Sequence, residues 1–208
     1  MKIHPQALVE TDQIGSGTCI WAFAHVMNGA KIGCNVNIGD HAFVESGASI
    51  GNNVTVKNQV CIWEGVTVED DVFIGPRVTF TNDRYPRSPR MPEAGPRYSS
   101  RANWLVTTIV RKGCSIGAAA TICPGVELGP YCVIGAGAVV TQNVPACALM
   151  LGMPARQVGV VCTCGQPLDG AIEVVLCGFC GETGAIRMSK IEVLHEEHGN
   201  SDQLITID

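Results

Sequence analysis

Residues 14–80 read IGSGTCIWAFAHVMNGAKIGCNVNIGDHAFVESGASIGNNVTVKNQVCIWEGVTVEDDVFIGPRVTF, and an aliphatic or aromatic residue returns there at every sixth position. The series restarts after a break, and its members are Ile14, Ile20, Val26, Ile32, Ile38, Val44, Ile50, Val56, Ile62, Val68, Ile74, Phe80, Val110, Ile116, Ile122, Leu128, Ile134 and Val140. Neither the 3.6-residue period of a helix nor the two-residue period of a strand gives this spacing. The pattern indicates the hexapeptide repeat of a β-helix.

Each hexad predicts a short strand with one large inward side chain, followed by a tight corner. Three hexads close one triangular coil, so residues eighteen apart stack about 4.8 Å from one another along the axis. Gly directly follows many of the large residues, and Gly or Asn accepts a positive φ at a corner without steric cost. We therefore expect an all-β parallel β-helix whose core is a column of stacked side chains.

The repeat fails between about residues 81 and 108, which read TNDRYPRSPRMPEAGPRYSSRANWLVTT. Four prolines prevent hexad strands, and the length is typical of a functional loop. Guanidinium groups suit contacts with phosphate or carboxylate, and this segment contains Arg84, Arg87, Arg90, Arg97 and Arg101. The clustered arginines therefore favour an extruded loop that binds an anionic group, and a solvated loop without a binding role is the alternative.

The segments IGAAAT (116–121) and IGAGAV (134–139) lie eighteen residues apart. Ala118 therefore stacks with Ala136, and Pro154 joins the same column if the spacing holds. Small side chains leave backbone NH and CO groups accessible. We expect a groove there that a pantetheine arm would fit; the alternative is that Ala and Gly serve only the tight corners.

The composition changes after residue 159, so we expect two units: a β-helix domain over 1–159 and a cysteine-rich module with an acidic tail over 160–208. The module offers Cys162 and Cys164, then Cys177 and Cys180. Four thiolates in two turns form a typical set for tetrahedral Zn²⁺, although only one residue separates the first pair. The tail histidines, His195 and His198, are alternative ligands, but a solvated tail is the favoured interpretation.

Charge and hydropathy exclude several classes of protein. The formal charge is -5, so attraction to nucleic acid is not expected. Residues 1–5 lack the apolar run of a signal peptide, and no apolar stretch approaches the ~20 residues of a membrane span. We expect a cytoplasmic protein whose 11 cysteines stay reduced.

Four segments extend the interpretation to a family: IHPQALVE, IWAFAHVMNGAKIG, VKNQVCIWEGVTVEDDVFIGPRVTFTNDRYPRS and VPACALMLGMPARQVG. They resemble the hexapeptide acyltransferases that N-acetylate nucleotide-linked amino sugars. The resemblance covers residues 3 to about 160, and FTNDRYPRS (80–88) is its most specific part.

The resemblance implies a left-handed β-helix, a homotrimer, acetyl-CoA as donor and a 3-amino sugar on UDP or dTDP as acceptor, for surface polysaccharide or glycan synthesis. It also implies that a short zinc-ribbon-like extension follows the β-helix. On this basis the expected acceptor contacts are His25, Arg84, Tyr85 and Arg87. The expected donor contacts are Ala118, Ala136, Pro154 and Arg156.

Acyl transfer needs an oriented neutral amine and a destination for its proton. Asn82 lies where the column opens into the loop, and Glu64 lies eighteen residues earlier, so both are expected on one face. The Asn82 amide would orient the amine and Glu64 would take the proton. Asp83 and His41 stay as further candidates, and in similar enzymes the departing CoA thiolate has been considered the proton acceptor.

Two alternatives to N-acetylation stay open. An O-acetyltransferase acting on a hydroxyl would need a strong base, usually His with a carboxylate partner. A noncatalytic trimeric scaffold would use the cysteine module to bind a partner.

Overall fold

The computed structural model describes residues 1–168, 173–181, 183–187 and 190–192. Within these ranges, short strands form three parallel sheets around an apolar column. The all-β expectation for the fold is therefore confirmed. The expectations for His195 and His198 lie outside the described residues.

Each coil contributes one strand to each sheet in turn. The first sheet contains β1 (Lys2–Ile3), β3 (Cys19–Ile20), β6 (Asn37–Ile38), β9 (Thr55–Val56), β12 (Phe73–Ile74), β15 (Ser115–Ile116), β18 (Val133–Ile134), β20 (Ala148–Gly152) and β21 (Ala155–Val160). The second contains β2 (Leu8–Val9), β4 (His25–Val26), β7 (Phe43–Val44), β10 (Cys61–Ile62), β13 (Thr79–Phe80), β16 (Thr121–Ile122) and β19 (Val139–Val140). The third contains β5 (Lys31–Ile32), β8 (Ser49–Ile50), β11 (Val66–Val68), β14 (Thr108–Val110) and β17 (Glu127–Leu128).

The register between coils follows the eighteen-residue spacing. Ile20 pairs with Ile38, and Ile38 pairs with Val56, so the second residue of each short strand stacks along the inside. Ile38, Val56 and Ile62 have no exposed surface. Fully burying such a side chain contributes about 1.5–3 kcal/mol, and the contribution repeats in every coil.

Glycines serve the corners differently from the expectation. Glycines that directly follow a core residue have no positive φ; they are needed because the next coil passes too close for a Cβ. A Cβ on Gly33 would lie 2.5 Å from the Gly51 carbonyl carbon, and one on Gly117 would lie 2.5 Å from the Ala136 nitrogen. Positive φ instead occurs three positions after the core residue, at Gly17 and also at non-glycine residues such as Phe23.

The arginine-rich segment is an insertion at the corner between the second and third sheets. Val68 pairs with Val110, which is 42 positions later rather than 18, so the coil carries 24 additional residues. The insertion contains two 3₁₀ helices, Pro92–Ala94 and Arg101–Asn103, and the short helix α1 (Gly95–Tyr98) lies between them in sequence.

The last coil is shorter than the others, and this corrects the expected position of Pro154. Leu128 bridges to Val144 and Ile134 pairs with Met150, each sixteen residues later. In this coil the core position of the third sheet is Val144, which comes four residues after Val140 instead of six. Gly152, rather than Pro154, therefore stacks on Ala136. Pro154 lies beyond the column, at the turn of an antiparallel hairpin formed by β20 and β21.

The hairpin leads into the cysteine-rich module. Its strand β21 continues through Gly159, so the sequence-based boundary between 159 and 160 falls inside a strand. The Val161 NH donates to the Cys147 carbonyl at 2.8 Å, which ties the start of the module to the column. An antiparallel sheet follows, of β22 (Glu173–Leu176), β23 (Thr183–Arg187) and β24 (Lys190–Glu192).

Within the described part of the chain, no helix has the length and apolarity needed to cross a bilayer.

Gly33→Ala tests the close approach of the coils. The added methyl group would press on the Gly51 backbone, so we expect the free energy of unfolding to fall by about 1–3 kcal/mol. Gly95→Ala is the matched control, since a Cβ there meets nothing within 4 Å and Gly95 already has helical φ and ψ. The control should be neutral or stabilising by about 0.4–1 kcal/mol. Thermal or urea unfolding followed by circular dichroism measures both, and equal midpoints would contradict the interpretation.

Candidate active site and metal centre

Asn82 and Glu64 lie together at the corner between the second and third sheets. Glu64 comes two residues after β10 and Asn82 two residues after β13, one coil further on. The Asn82 side-chain amide donates to the Glu64 carbonyl at 3.2 Å. The Asn82 carbonyl accepts from the Val106 NH at 2.9 Å, at the far end of the insertion. The expected stacking of the two residues on one face is therefore present.

The Glu64 carboxylate faces the insertion. Its Oε1 accepts from Arg101 Nε at 2.7 Å; the side chain of Glu64 is 20% exposed and that of Arg101 is 72% exposed. Leu105 lies against the same corner, because a Cβ on Gly65 would be 3.1 Å from Leu105 Cδ1. The insertion thus returns over the corner and brings a guanidinium to the carboxylate.

Asp83 organises the insertion from within. Its carboxylate accepts from the Arg97 guanidinium, from the Tyr98 hydroxyl at 2.8 Å and from the Tyr85 NH at 2.9 Å. The Asp83 side chain is 10% exposed. Charge-assisted hydrogen bonds of this kind are about twice as strong as neutral ones, so Asp83 ties the start of the inserted segment to α1.

The expected acceptor-binding residues divide into two groups. Arg84, Tyr85 and Arg87 are exposed at the start of the insertion, close in sequence to Asn82. His25 lies on β4, three coils before β13 in the second sheet, which is about 14 Å along the axis. Its Nε2 is 3.2 Å from Glu10 Oε1, and its ring contacts Phe43 edge-on. One chain by itself does not bring His25 to Asn82.

The small-residue groove lies at the corner between the first and second sheets. Ala118 and Ala136 are both exposed, and the Ala118 carbonyl accepts from the Gly137 NH in the next coil at 2.9 Å. The second sheet separates this groove from the corner that holds Asn82. Pro154 and Arg156 lie on the hairpin instead, where Arg156 Nη1 donates to the Ala155 carbonyl at 2.9 Å.

The four cysteines of the module converge. All their sulfur atoms lie within 4.8 Å of one another, with Sγ–Sγ distances of 3.5 Å for Cys162–Cys180 and 3.7 Å for Cys164–Cys177. A tetrahedral site with Zn–S bonds of about 2.3 Å requires sulfurs about 3.8 Å apart. NH groups of Cys180 and Phe179 lower the pKa of Cys177 to about 6, which favours its thiolate. The donor set therefore fits a closed zinc site.

Buried thiols in the column have a different environment. Cys114 and Cys132 stack eighteen residues apart with their sulfurs 3.2 Å from each other. Burial raises the pKa of Cys147 to about 12. These three cysteines are buried and fill space among the apolar side chains of the column.

Sequence reasoning did not single out Arg101 as the partner of Glu64. It identified five arginines in the insertion, but an aperiodic segment gives no spacing from which to choose among them. The position of Asp83 beside Asn82 was noted, but its bonds to Arg97 and Tyr98 depend on how the insertion folds back.

Comparison with known proteins agrees with this architecture. The family model described as bacterial transferase hexapeptide (six repeats) matches residues 107–142, and the hexapeptide repeat of succinyl-transferase matches residues 29–63. The dTDP-3-amino-3,6-dideoxy-α-D-galactopyranose 3-N-acetyltransferase of Aneurinibacillus thermoaerophilus is 48% identical over 180 residues, which is 86% of this chain and 88% of the relative. A galactoside O-acetyltransferase of Lactococcus lactis is 31% identical over 83 residues, covering 40% of this chain and 37% of that protein.

Two solved structures have a similar trace. The acetyltransferase domain of PglB from Neisseria gonorrhoeae, in complex with acetyl coenzyme A, has a TM-score of 0.49 and 19% identity over 75% of this chain and 56% of that one. A point mutant of AntD, an N-acyltransferase from Bacillus cereus in complex with dTDP and coenzyme A, has a TM-score of 0.46 and 18% identity over 77% of this chain and 80% of that one.

Proposed function

This chain belongs to the hexapeptide-repeat acetyltransferase family that includes the Aneurinibacillus enzyme, and from this membership we propose that it transfers the acetyl group of acetyl-CoA to the 3-amino group of a dTDP- or UDP-linked amino sugar. The 48% identity across 86% of the chain carries the proposal. Because so much of the chain is covered, the similarity extends over both proposed substrate regions.

The reaction joins a neutral amine to a thioester. The amine nitrogen attacks the thioester carbonyl carbon, the C–S bond breaks, and coenzyme A leaves as a thiolate while the nitrogen loses a proton. Asn82 would orient the amine, and Glu64, one coil away, would receive the proton directly or through water. The departing thiolate is the alternative proton acceptor. The contact between Asn82 and the Glu64 backbone supports a shared role.

Acceptor and donor would approach from the two corners that flank the second sheet. Arg84, Tyr85 and Arg87 would bind the diphosphate, sugar and base, because they are exposed beside Asn82. For acetyl-CoA, the exposed Ala118 and Ala136 would leave backbone groups open to pantetheine. Pro154 and Arg156, on the hairpin beyond this groove, would contact the adenine and its phosphates.

We propose a homotrimer with the active site between chains. Exposed aromatic side chains on the column support this arrangement, among them Trp21 at 36%, Phe23 at 52% and Phe73 at 41% exposure. A neighbouring copy would cover them and bring its own His25 toward the Asn82 corner. Sedimentation at three times the 22.0 kDa chain mass is the measurement that checks it.

A cytoplasmic location and a role in surface polysaccharide synthesis complete the proposal.

We also propose that the four-cysteine site holds a structural Zn²⁺. Cys162, Cys164, Cys177 and Cys180 would supply all four ligands, so no position would be left for catalysis. When bound, the ion would link the turn at 162–165 to the turn at 177–181. Its contribution would be folding energy for the module.

O-acetylation is the second candidate, and one contact favours it. His25 and Glu10 form the histidine–carboxylate pair that activation of a hydroxyl requires. The shorter similarity to a galactoside O-acetyltransferase points the same way. Membership of an enzyme family speaks against the noncatalytic scaffold.

The two reactions are separated by presenting matched acceptors. Purified protein with acetyl-CoA should acetylate a dTDP- or UDP-linked 3-amino sugar, with mass detection of a product 3-acetamido sugar, and leave the 3-hydroxy parent sugar largely unchanged. An amine is the stronger nucleophile and needs no strong base. Faster turnover of the hydroxy sugar would overturn N-acetylation and support the second candidate.

Substitutions at the Asn82 corner test the proposed roles. Asn82→Ala should lower kcat by about 10²–10³-fold, the usual effect of removing a polar group that acts in the transition state. Glu64→Gln should lower it by about 10²-fold if Glu64 takes the proton. Glu93→Gln, an exposed carboxylate on the same insertion, is the control and should keep the wild-type rate. A Glu64→Gln rate near wild type at every pH would assign the proton to the thiolate.

Metal analysis tests the zinc site. Protein purified without chelator should contain one zinc per chain, and Cys177→Ser should lose it because a closed site needs all four thiolates. Cys123→Ser, a half-buried thiol of the column, should keep the zinc. Zinc-free wild-type protein by elemental analysis would refute the proposal.

A further inference from the structure

Arg101 occupies the place where an acceptor amine would meet Glu64. Its Nε lies 2.7 Å from Glu64 Oε1, at the corner where Asn82 stacks on the Glu64 backbone. Leu105, four residues on, lies against Gly65 and keeps this part of the insertion at the corner. A cation of the chain itself therefore pairs with the proposed base.

This ion pair is easy to open. The Arg101 side chain is 72% exposed, and pairs in contact with solvent contribute little to stability because water screens them. The other arginines of the insertion with a described side-chain partner have different ones: Arg97 binds the enclosed Asp83, Arg84 donates to the Pro124 carbonyl, and Arg87 donates to the Pro86 carbonyl. Glu64 is thus paired to a guanidinium that can swing away without disturbing the internal bonds of the insertion.

The proposed acceptor carries two opposite charges. At neutral pH its 3-amino group is mostly an ammonium, and its diphosphate is an anion a few bonds away on C1 of the same sugar ring. An ammonium suits Glu64, and a diphosphate suits a guanidinium, which contacts phosphate with two parallel hydrogen bonds. The substrate therefore offers a replacement partner to each member of the ion pair.

We propose that Arg101 is a positioning residue that exchanges partners: it leaves Glu64 when the acceptor's ammonium arrives and binds the acceptor's diphosphate. The inference rests on the proposed function, since it assumes a nucleotide-linked amino sugar. It predicts that a ligand with the diphosphate but no amine must break the Arg101–Glu64 ion pair and leaves Glu64 without a cationic partner. A complete acceptor supplies the diphosphate to Arg101 and the ammonium to Glu64.

The probe is dTDP, which has the diphosphate and no amine, titrated by calorimetry. Glu64→Gln should tighten dTDP binding about two- to fivefold, because Arg101 is then released in advance. Arg101→Gln should weaken it about tenfold or more, the usual loss of a charge-assisted hydrogen bond. The double variant should bind like Arg101→Gln alone. Arg101→Lys should recover part of the affinity, and Arg90→Gln, an exposed arginine of the same insertion, should bind dTDP like the wild type.

Turnover gives a second readout. Arg101→Gln should raise the KM for the amino-sugar acceptor more than it lowers kcat, and melting temperatures of all variants verify that they are folded. Unchanged dTDP affinity in Arg101→Gln, or no tightening in Glu64→Gln, would overturn the inference. So would an active enzyme that binds neither dTDP nor UDP. Failure to acetylate any amino sugar would instead overturn the proposed function, and the binding pattern would still report whether the exchange occurs.

Discussion

Direct contact between backbones of successive coils is the constraint on which this molecule depends. Residues eighteen apart lie about 4.8 Å from each other, and at corners such as Gly33 over Gly51 there is no room for a side chain. This contact fixes the register, and the register places each aliphatic residue on its neighbour in the core. The same register also fixes the positions of residues on the outside of the column, which is why Asn82 stacks on Glu64 and Ala136 stacks on Ala118.

Whatever obeys the repeat could be predicted from the sequence. The core residues, the three-sided coil and the contact of Asn82 with Glu64 follow from the six-residue and eighteen-residue spacings, because backbone pairing holds the regular coils in one register. The four cysteines of the module were also predictable as a candidate metal-binding set, since thiol spacing in short turns is a local property. Their convergence in space required the fold of the module, and all four sulfurs do come together.

Positions that depart from the eighteen-residue spacing were not predicted correctly from the sequence. Pro154 was placed over Ala136 by the eighteen-residue rule, but the last coil has sixteen residues and Gly152 takes that place. The local sequence does mark the shorter coil: the six-residue series would continue at Ala146 and Gly152, whereas larger apolar residues stand two positions earlier, at Val144 and Met150, which are the ones that pair. Glycine function was misassigned for a related reason: close approach and positive φ both favour Gly, and only the structure separates them. Arg101 was missed because aperiodic segments give no register.

The insertion has a consequence for how such enzymes can diversify. Pairing of Val66 with Thr108 restarts the column in phase, so the 24 added residues leave the buried ladder unchanged. If the loop binds the acceptor as proposed, changes within the loop would alter which molecule is recognised, while changes in the buried ladder would alter whether the chain folds. On the proposed function, a scaffold built in this way would acquire a new acceptor by the exchange of one segment. A replacement segment would have to re-form the few contacts that hold the insertion against the corner, such as that of Leu105 with Gly65.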